Sequence, residues 1–528
     1  MKYTIYILLS LFVTTFYACL DDKSTIADHE VEDLHVTGLK SHYSIKSLGS
    51  LNIEPMVFSV DPTDEFRYEW YLFSQKKDNE LTPEKVKGYL VSEDSVLNYQ
   101  VHVKSGNYRL ILKVYSKKTG LMAQTSATVG VAETNGFFIL KETAEGNTDL
   151  DLFDITTGNT KGVLYADRLK SLMGASLEGK PRHLDVIYDQ AFLDPDSLAN
   201  GREFPVIDNT FCITTEKNDI RFIRYADFLE ILPRERMFYK VPDNLVPYRA
   251  IHYNGDWYVF MLAAGGVHSV MKGNTIYEDI GSFSDPMIGS APGSTHLAYS
   301  NNSVFFYWDA TSHSIASFHG AYLIPGETSS NVENYSLSDI PYEMQFVGHT
   351  STKQVTYDVA YLQEKDRSAA YLYFLNVGEF ETTLDSVAKY DRTSLMSRAT
   401  EVAINSNGSI NSAPYLYFVA DNKFYAHSLV TDKADEDVTL EGIDPNEKIV
   451  YLSNQYWKDL NDETRNFDYI IVGTQQGDVY KVYFYNIIGG KPSGAPVYRI
   501  VGNGKMKQVH YVSSLYDSRN NIFPVLDH

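Results

Sequence analysis

The sequence predicts an all-β protein in which an immunoglobulin-like sandwich is followed by a β-propeller of about seven blades. Of the 528 residues, 40 are Tyr and 27 are Phe, and aromatic residues favour strands because flat rings pack well on a pleated surface. Apolar and polar residues alternate over long stretches, which is typical of strands with one buried face. From about residue 132, a strand–turn–strand phrase recurs every 40 to 60 residues or so, the spacing typical of propeller blades.

The charge balance limits the class of partner. Lys and Arg number 46 against 68 Asp and Glu, so the formal net charge is −22. This argues against a nucleic-acid partner, because a phosphate backbone is bound by a basic face. The two cysteines, Cys19 and Cys212, are too few for a disulfide framework or a Cys-rich zinc site.

The first 18 residues predict a signal peptide. The apolar stretch from Ile5 to Phe16 is too short to span a hydrocarbon core of about 30 Å as a helix but suits a secretory signal. It ends in Phe-Tyr-Ala-Cys at 16–19, which resembles a bacterial lipobox with Phe where Leu is more usual. The resemblance implies cleavage before Cys19 and lipidation of that residue, which would anchor the protein in the outer membrane. An ordinary signal peptide with an incidental cysteine is the alternative.

Residues 19–36 are polar and acidic, and we expect them to form a tether. Asp21 and Asp22 follow the cysteine almost at once. An acidic pair at this place resembles the surface-export signal of Bacteroidetes lipoproteins and implies display on the cell surface. A solvated linker is the alternative.

Residues 37–131 predict the sandwich. Between Phe66 and Phe73, large apolar residues occupy every second position, so Trp70 in the middle of this strand is expected in the core. The order of Tyr-x-Trp-Tyr at 68–71, Gly-x-Tyr at 106–108 and Thr-Gly at 119–120 resembles the PKD-like domains of Bacteroidetes lipoproteins. That resemblance implies a spacer that holds a functional domain away from the membrane.

Residues 132–528 carry the repeated phrase seven times. The clearest hairpin joins residues 415–420 to 423–427 through Asp421 and Asn422. The other six phrases lie at residues 136–155, 209–223, 256–270, 303–318, 370–374 and 468–483. A late strand at 508–512 is expected to close the ring. Six or eight blades remain open, and an array of sandwiches is the competing fold.

Taken together, the lipobox, the sandwich and the segment Asn135–Leu140 resemble the PKD-like family lipoproteins of Bacteroidetes. Such proteins are typically encoded beside SusC/SusD-type outer-membrane uptake pairs. The resemblance implies an accessory surface lipoprotein that helps such a pair to capture a glycan or a peptide. The family brings no catalytic motif, so no catalytic residue is carried over.

The sequence contains none of the common catalytic motifs. His-Glu-x-x-His, Gly-x-Ser-x-Gly and the Walker phosphate loop do not occur, and we expect neither an enzyme nor a bound cofactor or metal. Cys212, in an apolar strand, is expected to be a buried thiol. Two acidic clusters do not follow the calcium-loop pattern and are expected to be solvated: Asp149, Asp151 and Asp154, and Asp432, Asp435, Glu436 and Asp437.

Aromatic residues outside the predicted strands are candidates for ligand contact, since sugar rings dock on Trp and Tyr faces. Trp457 is the first candidate, with Tyr456, in a polar stretch at 454–459 that interrupts the strands. Tyr335 and Tyr342 are the next, beside a long polar segment from about 325 to 345 that is expected to protrude as a loop.

Three functional hypotheses follow. The leading one is a non-catalytic surface lipoprotein that binds a nutrient or docks on an uptake complex. The second is a propeller hydrolase acting on glycans or peptides, and the third is a scaffold that binds only protein. An aromatic-rich funnel would favour the first, perturbed carboxylates in a pocket the second, and a broad apolar patch the third.

Overall fold

The computed structural model describes most of the chain, and it divides into two compact units. One unit comprises residues up to Val101 with Ser105–Ala132, and the other comprises His102–Lys104 and Glu133–His528. The described residues are 34–46, 49–74, 90–101, 103, 105–132, 135–155, 162–193, 205–252, 258–272, 281–300, 304–320, 323–352, 355–405, 414–430, 434–459, 463–513 and 521–522.

The first unit is a β-sandwich. Its strands are β1 (Leu34–Thr37), β2 (His42–Lys46), β3 (Ser50–Ile53), β4 (Met56–Ser59), β5 (Phe66–Ser74), β6 (Leu90–Ser92), β7 (Leu97–Gln100), β8 (Gly106–Ser116) and β9 (Met122–Ala132). They form a five-stranded sheet in the order β2-β9-β8-β5-β6 and two pairs, β1-β4 and β3-β7. Trp70 is fully buried, and its indole N–H donates to the carbonyl of Asp94 at 2.9 Å. The prediction that Trp70 belongs to the core is therefore confirmed.

The second unit is a seven-bladed β-propeller, in which each blade is one sheet of mainly antiparallel strands. The innermost strands, taken in ring order, are β13 (Pro181–Leu193), β16 (Pro247–His252), β19 (Leu297–Tyr299), β24 (Glu343–Ser351), β28 (Glu401–Ile404), β32 (Lys448–Asp459) and β37 (Lys505–Ser513). Neighbouring sheets pack face to face in chain order, and β37 packs against both β32 and β13. The seven sheets therefore form a closed ring.

From the axis outward, blade 1 consists of β37, β10 (Asn135–Glu142), β11 (Thr148–Asp154) and β12 (Val163–Tyr165). Blade 2 consists of β13, β14 (Pro205–Thr215) and β15 (Ile220–Arg224), and blade 3 of β16, β17 (Tyr258–Ala263) and β18 (Gly266–Met271). Blade 4 consists of β19, β20 (Val304–Asp309), β21 (Ser314–His319) and β22 (Ile324–Pro325).

The last three blades begin from β24, β28 and β32. They are completed as follows: blade 5 by β25 (Thr356–Gln363), β26 (Ala369–Val377), β27 (Glu381–Asp391) and β23 (Glu327–Ser330); blade 6 by β29 (Tyr415–Ala420), β30 (Lys423–Ser428) and β31 (Glu436–Asp437); blade 7 by β33 (Phe467–Gln476), β34 (Val479–Ile488), β35 (Lys491–Pro492), β36 (Tyr498–Asn503) and β38 (Asn521–Ile522).

The predicted phrases are the middle strands of the seven blades. The clearest hairpin is β29–β30, and the other phrases contribute middle strands in the same way. These strands are buried on both faces because each sheet lies between two others; all six residues of β20, for example, are buried. The prediction of about seven blades is confirmed.

The ring closes where the last inner strand of the propeller pairs with its first strand. β37 pairs antiparallel with β10, with Gly136 opposite Val512 and Ile139 opposite Val509. Blade 1 therefore takes its inner strand from the C-terminal part of the propeller and its other strands from the start. The late strand expected to close the ring does so.

The described helices are short. One α-helix spans Arg168–Met173, and 3-10 turns occur at Arg234–Arg236, Met396–Arg398 and Glu463–Arg465. Within the described part of the chain, no helix has the length or the hydropathy needed to cross a membrane.

Adjacent inner strands are joined by side chains rather than by backbone pairing. The amide of Gln508 on β37 donates to the carbonyl of Leu184 on β13 at 3.0 Å and accepts from its N–H at 2.9 Å. Gln455 on β32 bonds in the same way to the Val509 carbonyl at 2.5 Å and the Tyr511 N–H at 3.0 Å. These glutamines connect blade 7 to blade 1 and blade 1 to blade 2.

We expect Gln508→Leu to destabilise the propeller. The change leaves a buried N–H and a buried carbonyl of Leu184 without these partners, and each unsatisfied group costs about 1–3 kcal/mol. The free energy of unfolding, measured by urea denaturation, should fall by about 2–4 kcal/mol. Gln476→Leu, at an exposed position in the same unit, should change it by less than about 0.5 kcal/mol. Equal effects of the two variants would contradict this role for Gln508.

Candidate functional site

The candidate site lies at the end of the propeller where the inner strands begin, which we call the strand-start face. Antiparallel pairing places the turn between the second and third strands of a blade beside the start of its inner strand. Glu401 at the start of β28 pairs with Val419, just before the turn at Asp421 and Asn422. Polar side chains from several blades line the axis, from His183 near the start of β13 at this end to His252, the last residue of β16, toward the other end.

A buried ion pair holds blades 2, 3 and 4 together. The Arg249 guanidinium is fully buried and donates to Asp185 from Nη2 at 2.6 Å and from Nε at 3.3 Å. Its Nη1 donates to the Thr295 carbonyl at 3.3 Å. Burial opposes ionisation of Asp185, but the charge of Arg249 dominates and holds the pKa of that carboxyl well below its usual range. The pair is therefore charged at neutral pH.

Four histidines surround this pair on the inner strands or directly before them: His183, His252, His296 and His510. Burial is the main cause that lowers the pKa of each ring, to about 4 for His296 and about 3 for His510. At neutral pH all four are neutral imidazoles, each with one N–H donor and one acceptor nitrogen.

Several of these polar atoms are buried without a hydrogen-bond partner in the described structure. They are both ring nitrogens of His252, Nδ1 of His296 and of His510, and both amide atoms of Gln190 on β13. Nε2 of His183 also lacks a hydrogen bond, although it lies 3.4 Å from Asp185. Buried polar atoms almost always have partners, so this group, which we call the axial polar cluster, is a place where water or a polar ligand binds.

A carboxyl and two lysines lie where the inner strands of blades 6, 7 and 1 begin. Burial raises the pKa of Glu401 to about 7, although the positive charges of Lys507 and Lys448 act in the opposite direction. Both lysines are exposed, and Lys507 also lowers the pKa of His296. Glu401 is therefore partly protonated near neutral pH.

A cleft of about 450 Å³ opens beside Lys448, at the same face. Blade 5 contributes the turn with Asp366 and Arg367, and the segment leading into β28 contributes Arg392, Arg398 and Thr400. Blade 6 contributes Asp421 and Asn422, and blade 7 contributes Lys448 and Ile449. Cations outnumber carboxylates in the lining of this cleft.

A second cleft, of about 420 Å³, lies in the sandwich unit. The Lys118 ammonium in its lining donates to Asp61 and to Thr63, each at 2.6 Å, whereas one oxygen of Asp64 is buried without a hydrogen-bond partner. All the other buried side-chain atoms without partners in the described structure belong to the propeller, which is therefore the stronger candidate for ligand binding.

The prediction that residues 454–459 interrupt the strands is wrong. They belong to β32, in which Tyr456 pairs with Asp468 and Trp457 with Phe467. Trp457 is only 2% exposed and packs edge-on against Tyr511, and Tyr456 is half-buried. The polar residues that suggested a loop bond to neighbouring strands, so Trp457 is a core residue and offers no open face to a ligand.

The segment at 325–345, which was predicted to protrude as a loop, includes a strand at the edge of a blade. It contributes β23, which pairs in parallel with β27 at the edge of blade 5. The Tyr342 ring stacks on Tyr371 with 3.8 Å between the ring centres, and Tyr335 packs against Tyr371 and Tyr373. Both tyrosines are half-buried against the core of blade 5, which leaves only part of each ring for a ligand.

The remaining candidates divide into two groups. Cys19, Asp21 and Asp22 lie outside the described residues. Cys212 is buried, and burial raises the pKa of its thiol well above the usual value, as expected for an inert thiol.

The first acidic cluster is not solvated, contrary to the prediction, whereas Glu436 and Asp437 of the second are 43% and 55% exposed. Asp149, Asp151 and Asp154 are fully buried. The Lys141 ammonium lies 2.7 Å from Asp151, and Asp149 accepts the Leu169 N–H at 2.9 Å. In the second cluster, Asp435 pairs with His427, Glu436 with Lys491 and Asp437 with Lys423, while Asp432 lies outside the described residues. Among the described residues, no group of His, Cys, Asp and Glu side chains has a metal-binding arrangement.

Comparison with known proteins finds a family match over only part of the chain. The sequence profile of the PKD-like family matches residues 19–181, which cover the sandwich and end at the start of β13. No curated protein is similar in sequence. The solved structures that resemble this chain do so at low identity and with TM-scores under 0.5, so these likenesses carry no conclusion about activity.

Two of these structures come from Bacteroides. A quinoprotein alcohol dehydrogenase-like protein from Bacteroides thetaiotaomicron is 13% identical, with a TM-score of 0.44, over 89% of this chain and 96% of its own. A DUF4784-family protein from Bacteroides caccae is 8% identical, with a TM-score of 0.34, over 77% and 95%. The dihydro-heme d1 dehydrogenase NirN is 7% identical, with a TM-score of 0.35, over 76% and 72%.

We expect His296 and His510 to make stability fall in acid. Their folded pKa values, about 4 and about 3, lie below the unfolded value of about 6.5, so the unfolded state binds more protons between these values. The free energy of unfolding should therefore fall by about 1.4 kcal/mol per pH unit for each histidine as the pH drops from 6.5 toward 4.

The measurement is urea denaturation of the wild type and of His296→Gln/His510→Gln at pH 7, 6, 5 and 4.5. Because glutamine does not titrate, the acid-side slope of the double variant should be lower by about 2.8 kcal/mol per pH unit, twice the contribution of one histidine, while His183 and His252 keep their share. His313→Asn, at an exposed position, serves as the matched control and should keep the slope. A double variant with the wild-type slope would show that these rings are protonated in the folded state.

Proposed function

We propose that the protein is a surface lipoprotein that binds a nutrient for a SusC/SusD-type uptake pair, and that the nutrient binds at the strand-start face of the propeller. The observation that carries this proposal is the part of the axial polar cluster at this face, above all His296 directly before β19, whose buried Nδ1 lacks a partner in the described structure. Neutral imidazoles that both donate and accept suit the hydroxyls of a sugar or the amides of a peptide. His296, half-buried beside the start of β19, is the member best placed to be reached.

Display on the cell surface is supported by the sequence and by the family match. The lipobox at 16–19 supports an anchor on Cys19, and Asp21 and Asp22 support export to the surface. The PKD-like profile begins at residue 19, at the expected mature start. Docking on an uptake pair rests on the resemblance to PKD-like family lipoproteins.

The test is a mild-detergent pull-down of the native protein from outer membranes, with its companions identified by mass. We expect recovery of a TonB-dependent channel and its lid lipoprotein. Cys19→Ala should lose both the lipid, measured by radiolabelled palmitate, and the companions, whereas Cys212→Ala should keep both. Recovery of the protein alone from wild-type membranes would overturn the docking part of the proposal.

The ligand part is tested separately by screening glycans and peptides for binding to the full-length protein. His296→Leu should weaken binding of the best ligand at least tenfold, and His313→Asn should leave it unchanged. An equal effect of the two substitutions would place the ligand elsewhere on the protein.

A glycan hydrolase is the second candidate, and Glu401 favours it. A general acid works best when its pKa lies near the working pH, and that of Glu401 is raised to about 7. If the protein hydrolyses glycans, Glu401→Gln should reduce turnover of the bound glycan by about 100-fold or more, the usual contribution of a general acid, with little loss of binding. A wild-type protein that binds without releasing products over hours would exclude this candidate.

A further inference from the structure

The cleft beside Lys448 is a local excess of positive charge on a strongly acidic protein. Arg367, Arg392, Arg398 and Lys448 line it against two carboxylates, Asp366 and Asp421, while the whole chain has a formal net charge of −22. Two of the cations are neutralised locally: Arg392 lies 3.3 Å from Asp366, and Arg398 lies 2.9 Å from Asp421.

The other two cations have no acidic partner among the described residues. Arg367 extends from the turn between β25 and β26, and Lys448 is the first residue of β32; both are exposed. Like charges held together repel one another, and an anionic ligand removes that repulsion. The cleft thus has an excess of two positive charges for a ligand to neutralise.

Arg398 has the geometry to bind a carboxylate. Its Nη2 donates to Asp421, but its Nε is buried and has no hydrogen-bond partner in the described structure. A guanidinium presents its donors as a planar fork that matches a carboxylate, and such charge-assisted bonds are stronger than neutral ones. Because the Arg398 side chain lines the cleft and is 41% exposed, its guanidinium can reach a ligand anion.

The other lining residues add fixed polar groups to the cleft. Ile449 is buried, and the cleft has no aromatic lining residue. The Thr400 hydroxyl already donates to the Val419 carbonyl at 3.3 Å, so its oxygen can accept from a ligand hydroxyl. The Asn422 side chain is fixed by bonds to the Glu447 carbonyl and the Ile449 N–H, each at 2.8 Å. The wall is therefore held in place at Asn422 and presents a hydroxyl oxygen to a ligand.

We infer that this cleft binds an oligosaccharide that carries carboxylate groups, with Arg367, Arg398 and Lys448 contacting the carboxylates. The inference rests on the proposed function, because it names the ligand class for the same face of the propeller. A volume of about 450 Å³ falls within the range of roughly 300–1,000 Å³ that is common for small-ligand sites.

The test is calorimetric titration of the full-length protein, in detergent, with four probes. These are a short oligogalacturonate, its methyl ester, a neutral glucan of the same length and hexaglutamate. The ester has the same sugar rings without the charge, so it is the matched control ligand. We expect binding of the oligogalacturonate, weakening as salt rises from 50 to 500 mM, and at least tenfold weaker binding of the ester and the glucan.

The matched variants are Arg398→Gln/Lys448→Gln in the cleft and Arg499→Gln on the outer strand β36, where the side chain is exposed. The first should weaken oligogalacturonate binding at least tenfold and the second should not. Because both changes are at the surface, equal thermal midpoints will show that the fold is retained. If the double variant unfolds, Arg367→Gln alone, in the exposed turn, replaces it with the same expectation.

The outcomes separate this inference from the proposed function. Equal binding of the acid and its ester, or binding of the neutral glucan alone, overturns the inference and leaves nutrient binding intact. Binding of hexaglutamate with the same dependence on Arg398 and Lys448 assigns the cleft to acidic peptides and overturns the sugar class. If none of the four probes binds and the broad screen also finds no glycan or peptide that binds, both this inference and the ligand part of the proposed function are wrong.

Discussion

Seven sheet edges meet at the axis of the propeller, and each must satisfy its backbone groups without a neighbouring strand. An unpaired edge in the interior is costly because every buried N–H and C=O needs a partner. Here polar side chains reach from one inner strand to the next: Gln508 to the backbone of Leu184, Gln455 to that of Val509 and Tyr511, and Thr350 on β24 to the carbonyl of Asn405. The inner strands are therefore polar because of their position, and the same requirement accounts for Arg249, which donates to the Thr295 carbonyl.

The middle strands of the blades lie in an apolar environment, unlike the polar inner strands. Each lies between two sheets, so its side chains are buried on both faces and the segment is a continuous apolar run. Phe305 and Phe318 of blade 4, for example, stack at 5.2 Å, and Phe260 of blade 3 lies 5.0 Å from Phe305. Aromatic rings fill the wedge between radiating sheets, which explains why a chain with 40 Tyr and 27 Phe forms this fold. The apolar faces hold the blades together, and the polar edges set their register at the axis.

This division explains what could be predicted from the sequence. The middle strands are recognisable because apolar runs such as Tyr415–Ala420 are followed by a turn and a second strand, and their number gives the number of blades. The inner strands resemble loops in the sequence: Asn454 and Gln455 suggest a solvated connection, yet they lie in β32 and are buried. The prediction that Trp457 lies between strands is wrong for the same reason. The site could not be predicted because Arg249 and Asp185, 64 residues apart, meet only when blades 2 and 3 pack, and nothing local marks either residue.

The distribution of charge connects the fold to its proposed use. A chain with a formal net charge of −22 repels anions over most of its surface, and this repulsion extends about 8–10 Å into the solvent at physiological salt. Arg367, Lys448 and Lys507 nevertheless remain without acidic partners among the described residues, at one end of the ring and beside a carboxyl that is only partly ionised. If the charges were spread evenly over the surface, each of these three cations would have an acidic neighbour, since Asp and Glu outnumber Lys and Arg by 68 to 46. An acidic ligand would therefore meet its most favourable potential at the strand-start face, where the buried Nδ1 of His296 also lacks a partner among the described residues.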